Sequence, residues 1–378
     1  PEMADSKIEV VIMSRCCPDI AIRVFNSIKY YELDIISGVF TGGAPLADYV
    51  KLSNTDLYLS SNEYDVKQVI DAGIAAGLVV MNNGDYTDDN KETIEIFMSL
   101  LDKYIHETKE GLVDRFELIA SQPADAASFM YDNNTMVGYI PERGIRSALC
   151  HGTLAIGQLG LAECLQILIG RDHTTKEGME LAKRIEGLFK QRCAEFKEEI
   201  YSAYDENGEP WTYHLNFGVY YTPAENLCYT AMKKFKEQYG VIPKVSDKEF
   251  FTNSMHVPVW HKMSPIEKID IESQLTGYSS AGCITYVELD GGMSNNLDAL
   301  ETLVNYAMDK DIPYFAINVP NDTCLECGHT GEFNDHCPEC DSENIQQLRR
   351  VTGYLTGNYT TAFNYGKQKE TEDRVKHK

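Results

Sequence analysis

The sequence predicts an α/β fold with a small βαβ segment at the amino end and a metal-binding module near the carboxyl end. Three observations predict it. Short apolar runs of strand length alternate with helical stripes over residues 8–81. A second strand–helix–strand succession spans 283–319, a length that favours parallel pairing. Cys324-x-x-Cys327 and Cys337-x-x-Cys340 then supply two knuckles with metal-ligand spacing.

Each element has its own justification. Ile8–Met13 is an apolar run of strand length, and Ile20, Val24, Phe25 and Ile28 form a helical stripe within 18–30. Val39-Phe40 leads into the turn residues Thr41-Gly42-Gly43. Asp56–Ser60 reads as a strand, Tyr64–Ala72 as a helix and Gly77–Met81 as a strand. Residues 82–92 are polar and lack apolar periodicity, which marks a linker. Residues 93–118 read as helix, and Leu154–Ile169 as an apolar helix after a glycine-punctuated turn. A long amphipathic helix is expected over 175–203, with Leu181, Ile185, Leu188, Phe189, Cys193, Phe196 and Ile200 on one stripe. Trp211–Thr222 alternates as a strand. Cys283–Leu289 and Pro313–Val319 read as strands flanking a helix at 297–309.

Composition bounds the function. The 378 residues suffice for two domains or one large one, and 43% apolar with 24% charged residues is globular. The net charge of −24 argues against nucleic acid and membrane surfaces as partners, since both are anionic. No apolar run reaches membrane-helix length, and the polar start Pro1–Ser6 carries no secretory signal. A first residue of Pro fits a fragment or a processed chain. From Arg349 onward seven Lys/Arg face three Asp/Glu, so a basic tail either docks on the acidic body, binds an anion or stays solvated. Eleven Cys, seven of them outside the knuckles, point to a reducing compartment and a cytoplasmic location.

Four thiolates in two knuckles bind Zn2+ tetrahedrally, with Gly328 and Pro338 suited to the tight turns. An iron–sulfur cluster, or four unrelated thiols, are the alternatives. Zinc held by Cys324, Cys327, Cys337 and Cys340 has no open position and is structural: it holds a loop too polar to fold alone. Gly353, in Arg350-Val-Thr-Gly-Tyr-Leu355, is either a turn glycine or a site for a Cα radical. Only glycine, lacking Cβ, lets such a centre flatten without a side-chain clash. His151-Gly152-Thr153 reads as a helix start with N–H groups for phosphate, or as a capping turn. Glu225-Asn226 follow a strand and Pro223, and contact substrate or form a surface loop. His256 is a site residue or a satisfied core histidine, and Glu288 alternates in a strand as if solvent-facing.

From about residue 93 to 378 the chain resembles the C-terminal half of class III, oxygen-sensitive ribonucleoside-triphosphate reductase. The matching stretches are His151–Gly157 with Gly160–Glu163, Tyr221–Asn226, Phe251–His256, Thr285–Asp290 and Ala316–Asp322. The knuckle cysteines, Arg350–Leu355, Phe363-Asn364 and Arg374–His377 complete the set. The resemblance implies half of a ten-stranded glycyl-radical α/β barrel, with the radical at Gly353 installed by a radical-SAM activase and a zinc site beneath it. It implies conversion of ribonucleoside triphosphates to deoxyribonucleoside triphosphates, with formate as the reductant in many members. His151, Gly152, Thr153, Glu225 and Asn226 would line the substrate pocket. The family's thiyl-radical cysteine sits in a Met-Gly-Cys-Arg context that these residues lack; neither Cys16-Cys17 nor Cys150 takes its place. A homodimer, or a separate N-terminal reductase half, is the protein partner this implies.

Residues 1–82 resemble the N-terminal part of cytosolic 5′-nucleotidases, through Val10–Arg15, Arg23–Ile28, Phe40–Gly43, Asp56–Glu63 and Asp71–Ala76. That family attacks phosphate with an Asp from a separate motif, to which nothing here corresponds. The expected division is 1–82 nucleotidase-like segment, 83–92 linker, 93–320 reductase body, 321–346 zinc module and 347–378 radical segment. The alternative functions are a 5′-nucleotidase-like phosphatase, or a non-catalytic zinc and glycyl-radical module acting in trans.

Overall fold

The computed structural model describes residues 9–15, 21, 24–26, 28–29, 33–35, 37–60, 62–78, 88–133, 135–221, 223–224, 226–292, 296–333, 335–351, 354–356 and 358–377. The chain divides into two compact units, Pro1–Asp85 with Tyr229–Phe250, and Tyr86–Cys228 with Phe251–Lys378.

In the smaller unit β1 (Val11–Ser14) pairs in parallel with β2 (Ser37–Phe40), and β3 (Tyr58–Ser60) with β4 (Ala76–Leu78). The described residues between 21 and 29 are helical, within the helix expected at 18–30. Gly42 and Gly43 follow β2 with positive φ, which glycine adopts without strain. The helix Glu63–Asp71 is capped by Asn62, whose Oδ1 accepts the Asp65 N–H at 3.2 Å. It packs Val66 and Val69 against Leu46, Val50 and Tyr58. The βαβ rhythm of the sequence is realised here. Tyr229–Phe250, which the sequence placed within a continuous 93–320 body, cluster with this unit instead. Asn62 Nδ2 reaches the Val241 carbonyl at 3.2 Å, a bond across 179 residues of chain that local pattern does not encode.

The larger unit opens on a 33-residue helix, Asp88–Ala120, so residues 88–92 of the expected linker are its first turn. β5 (Thr153–Ile156) occupies the start of the stretch expected to be helix from Leu154; the helix itself runs only over Leu161–Ile169. Gly160, at φ 79°, forces the break between them. The amphipathic helix ends at Lys197, and Ile200 begins β6 (Ile200–Tyr204), 70% exposed rather than on the buried stripe. β7 (Pro210–His214) pairs antiparallel with β6, and β8 (Asn216–Val219) pairs in parallel with β5. The single strand expected over 211–222 is thus two, serving different sheets. β9 (Thr285–Glu288) and β10 (Phe315–Asn318) pair in parallel across the helix Leu297–Asp309, as the sequence predicts.

A parallel bridge between Tyr220 and Gly282, with the Tyr221 N–H on the Gly282 carbonyl at 3.0 Å, links the end of β8 to the segment that leads into β9. No closed barrel forms among the described residues. Leu165, Ile185, Phe189, Phe217, Val219 and Leu275 fill the core, each at most 4% exposed. The remaining strands, β11 (Asn321–Cys324), β12 (Thr330–Gly331), β13 (Ile345–Val351) and β14 (Tyr354–Thr356), form an antiparallel sheet in the order β12, β11, β13, β14. No helix is long and apolar enough to cross a membrane among the described residues.

Candidate metal centre and its surroundings

The four knuckle cysteines converge. Their sulfurs all lie within 4.8 Å of one another, with Cys324–Cys340 and Cys327–Cys337 each at 3.5 Å. A tetrahedron of thiolates about zinc, with bonds of about 2.3 Å, has edges of about 3.8 Å. The donor set therefore fits zinc, and four sulfurs leave no open coordination position. Cys324 and Cys337 are buried, Cys327 and Cys340 exposed.

Local backbone explains the convergence. The Cys324 N–H donates to the His329 carbonyl and the Gly328 N–H to the Cys324 carbonyl, both at 2.9 Å. The second knuckle repeats this: Cys337 N–H to Ser342 carbonyl and Asp341 N–H to Cys337 carbonyl, again 2.9 Å. The residue after each second cysteine is left-handed, Gly328 at φ 76° and Asp341 at φ 58°. Asp is among the few residues that visit that region, so the second turn rests on Asp341 as well as on Pro338. Backbone N–H groups of Cys327 and Glu326 aimed at the Cys324 sulfur pull its thiol down to about 6. Cys340 goes the other way, to about 12: the Ser342 N–H lowers it, but the Cys327, Cys324 and Cys337 sulfurs and burial together raise it more. Four close sulfurs cannot all ionise unaided, and a divalent cation relieves that conflict.

The module is fastened to the sheet by buried charge. Asp322, fully buried on β11, accepts from Nη1 and Nη2 of Arg349 on β13 and from the Phe333 N–H at 3.1 Å. The basic tail docks within the unit. Arg374 bonds to Glu288 and to Glu370 at 3.1 Å, and Lys367 bonds to Glu370 at 2.5 Å. Lys376 pairs with Glu332. The His377 N–H donates to the Glu288 carbonyl, and the Glu288 N–H to His377 Nδ1, both at 2.8 Å. Glu288 therefore faces Arg374 rather than solvent. A cavity of about 780 Å³ lies at the carboxyl ends of β9 and β10, lined by Glu288, Asn318, Arg349, Arg350, Arg374 and Lys376 among others. Arg349, Arg374 and Lys376 are each already in an ion pair.

His151, Gly152 and Thr153 follow the short helix Arg146–Leu149, so they sit at a helix end and not a helix start. The N–H groups of His151 and Gly152 are spent on the Ala148 and Leu149 carbonyls at 3.1 and 2.9 Å, which leaves neither for a phosphate. The His151 ring instead packs on Gly138, where a Cβ would fall 2.4 Å from it, and Thr153 Oγ1 accepts from Asn216 at 2.8 Å. Asn226 Oδ1 accepts from Asn364 Nδ2 at 2.5 Å, which ties the start of one helix to the cap of the C-terminal helix Tyr365–Asp373. Glu225 and Gly353 lie outside the described residues, as do Cys16 and Cys17. His256 is a core histidine with its ring nitrogens on the Asn253 and Ile284 carbonyls at 2.9 and 2.7 Å. Sequence reasoning missed Asp322, Arg349, Glu288 and Arg374 as a set; the excess of cations after Arg349 was the signal that could have found them.

The chain is similar to known proteins in sequence and in fold. Solved anaerobic ribonucleotide reductases share the fold: one has TM-score 0.58 and 20% identity over 76% of this chain and 42% of its own. Another, from Thermotoga maritima in complex with dATP and CTP, has TM-score 0.53 and 15% identity over 97% of this chain and 64% of its own. The family model for anaerobic ribonucleoside-triphosphate reductase matches residues 60–377, and that for 5′-nucleotidase matches residues 2–99. The reductase of Escherichia coli K12 is 30% identical over 82% of this chain and 43% of its own length. That of bacteriophage T4 is 33% identical over 74% of this chain and 44% of its own. The chain belongs to the anaerobic ribonucleoside-triphosphate reductase family, and it spans less than half the length of these curated relatives.

Proposed function

We propose that the chain is the carboxyl-terminal portion of a glycyl-radical ribonucleotide reductase that converts ribonucleoside triphosphates to deoxyribonucleoside triphosphates. The observation that carries this reading is the ordered agreement of motifs from His151 to His377, ending in a four-cysteine cluster followed by Arg350–Leu355. Gly353 stores the unpaired electron, installed by a radical-SAM activase. Zinc in the cysteine set supplies a rigid structural anchor. Cys324, Cys327, Cys337 and Cys340 hold that anchor, and β13 follows it in the chain, ending at Val351. Asn226, joined to Asn364, the exposed His151 and Thr153 side chains and Glu225 are the proposed substrate contacts, with Gly152 offering a close approach to the backbone rather than an N–H. Formate is the proposed reductant, and the proposed setting is cytoplasmic, in a homodimer or with a separate N-terminal half.

Anaerobic treatment with activase and S-adenosylmethionine should give a doublet-type paramagnetic signal that vanishes in Gly353→Ala. Air should then cut the chain at residue 353. A silent spectrum and an uncut chain refute the radical assignment. Turnover is to be read with a second chain supplying the Met-Gly-Cys-Arg cysteine, because that context is not among these residues. A second reading, a nucleotide phosphatase, has the 2–99 match in its favour. Phosphate release from nucleoside monophosphates would establish it, and it is disfavoured by the lack of a matching Asp nucleophile motif.

A further inference from the structure

We propose that Asp322 is a positioning residue that couples occupancy of the cysteine site to the order of the β13–β14 hairpin. Asp322 stands two residues before Cys324 on β11, so the metal site and the carboxylate share a strand. Its Oδ2 takes the Phe333 N–H at 3.1 Å, and Phe333 lies on the segment running from β12 to Cys337. Both its oxygens take the Arg349 fork, and Arg349 pairs with Thr356 across the β13–β14 ladder. The two knuckles and the hairpin are thus tied to one fully buried anion.

The physical consequence follows from burial. A buried carboxylate is tolerated only while its donors are in place. Phe333 follows β12, whose Gly331 pairs with Asp322, and leads into the second knuckle, which bound metal fixes. Release of the metal frees the loop, strips Asp322 of one donor and weakens its hold on Arg349. The hairpin then loses the contact that fixes Arg349, one strand position before Arg350. Hydrogen-bonded pairing between β11 and β13 runs from Asn321–Leu348 to Cys324–Ile345, so the disturbance travels along a continuous ladder. The meaning of this for activity rests on the reading of Gly353 as the radical site; the coupling itself does not.

The test compares the full-length chain with Asp322→Asn and Arg349→Lys. Each is analysed for zinc content and for amide exchange at 345–351 and 354–356, with and without a chelator. In the unmodified chain, zinc removal should speed exchange in the hairpin at least about ten-fold. Asp322→Asn should keep zinc near one per chain yet exchange fast already, with less than about a two-fold further response. Arg349→Lys, which keeps the charge but not the fork, should fall between them. Wild-type hairpin protection in zinc-loaded Asp322→Asn would overturn the proposal. Loss of zinc in that variant would overturn it too, since the carboxylate would then serve the metal site and not transmit from it. If Asp322→Asn does not fold, Arg349→Lys decides: a full chelator response there refutes the coupling. A wild-type chain that never takes up zinc refutes the metal reading itself. A chain that takes up zinc without any change in the hairpin refutes only the coupling.

Discussion

Replacing Glu186 by Gln should stabilise the larger unit, and by an amount that grows with pH. Glu186 lies on the helix Lys176–Lys197 with no solvent exposure. Its Oε1 accepts from Gln158 Nε2, and Oε2 receives no hydrogen bond of normal geometry. Burial pushes its carboxyl from 4.5 up to about 8, against a smaller lowering by the Tyr221 hydroxyl. The native state therefore keeps its proton to about pH 8, while the unfolded chain releases it near 4.5. Wherever the native state binds more protons, stability falls as pH rises. The loss starts at 4.5 and is complete above 8. At about 1.4 kcal/mol per pH unit, it amounts to about 3 kcal/mol at pH 7 and about 5 kcal/mol above pH 8. Gln keeps the shape and the Oε1 acceptor and does not titrate. Urea unfolding at pH 5, 7 and 8.5, with intrinsic fluorescence as the readout, measures the difference between variant and parent. It should be under about 1 kcal/mol at pH 5 and rise to several kcal/mol at pH 8.5. Other titrating groups, such as the buried His173 held near 4, act in both proteins and cancel. A difference independent of pH, or a parent more stable than the variant at pH 8.5, would refute the reasoning.

Gly178→Ala should cost about 3 kcal/mol, because its Cβ would fall 1.9 Å from the Asp172 carbonyl oxygen and 2.9 Å from Thr175 Oγ1. The thermal midpoint of the larger unit reports this, and an unchanged midpoint speaks against the close approach. Arg374→Ala should cost about 3–5 kcal/mol, since it leaves Glu288 without its cation and Glu370 with Lys367 alone. Proteolysis should then reach the helix Tyr365–Asp373 first; resistance equal to the parent would count against the tail as a fastening. Cys337→Ser should drop metal content from about one zinc per chain to well below one, since Cys337 is one of the two buried donors. Retention of stoichiometric zinc would show that the four sulfurs are not the ligands.

Some of this was legible in the chain. The parallel β9–β10 pair and its crossover helix follow from apolar periodicity, because a strand–helix–strand of that length has few other solutions. The βαβ character of residues 11–78 follows likewise. Expectation failed where a single backbone position overrode pattern. Gly160 splits an apolar run into β5 and a helix, and the chain turns out of its helix at Lys197 so that Ile200 serves a hairpin. His151-Gly152-Thr153 reads equally as a helix start or a helix end until the backbone bonds to Ala148 and Leu149 are known.

The sequence alone pointed to the cysteine cluster, since knuckle spacing lets the two sulfurs of each pair reach one ion; the fold brought the knuckles together, Cys324 to Cys340 and Cys327 to Cys337. The sequence also determined the family, which ordered motifs carry without coordinates. Only the tertiary structure decided that Tyr229–Phe250 join the first unit, that Glu288 meets Arg374, and that Asp322 grips Arg349. Those partners lie 27 or more residues apart. Coulomb attraction in a desolvated interior selects among many possible carboxylates only after the backbone has placed them, and no periodicity in the chain records that choice.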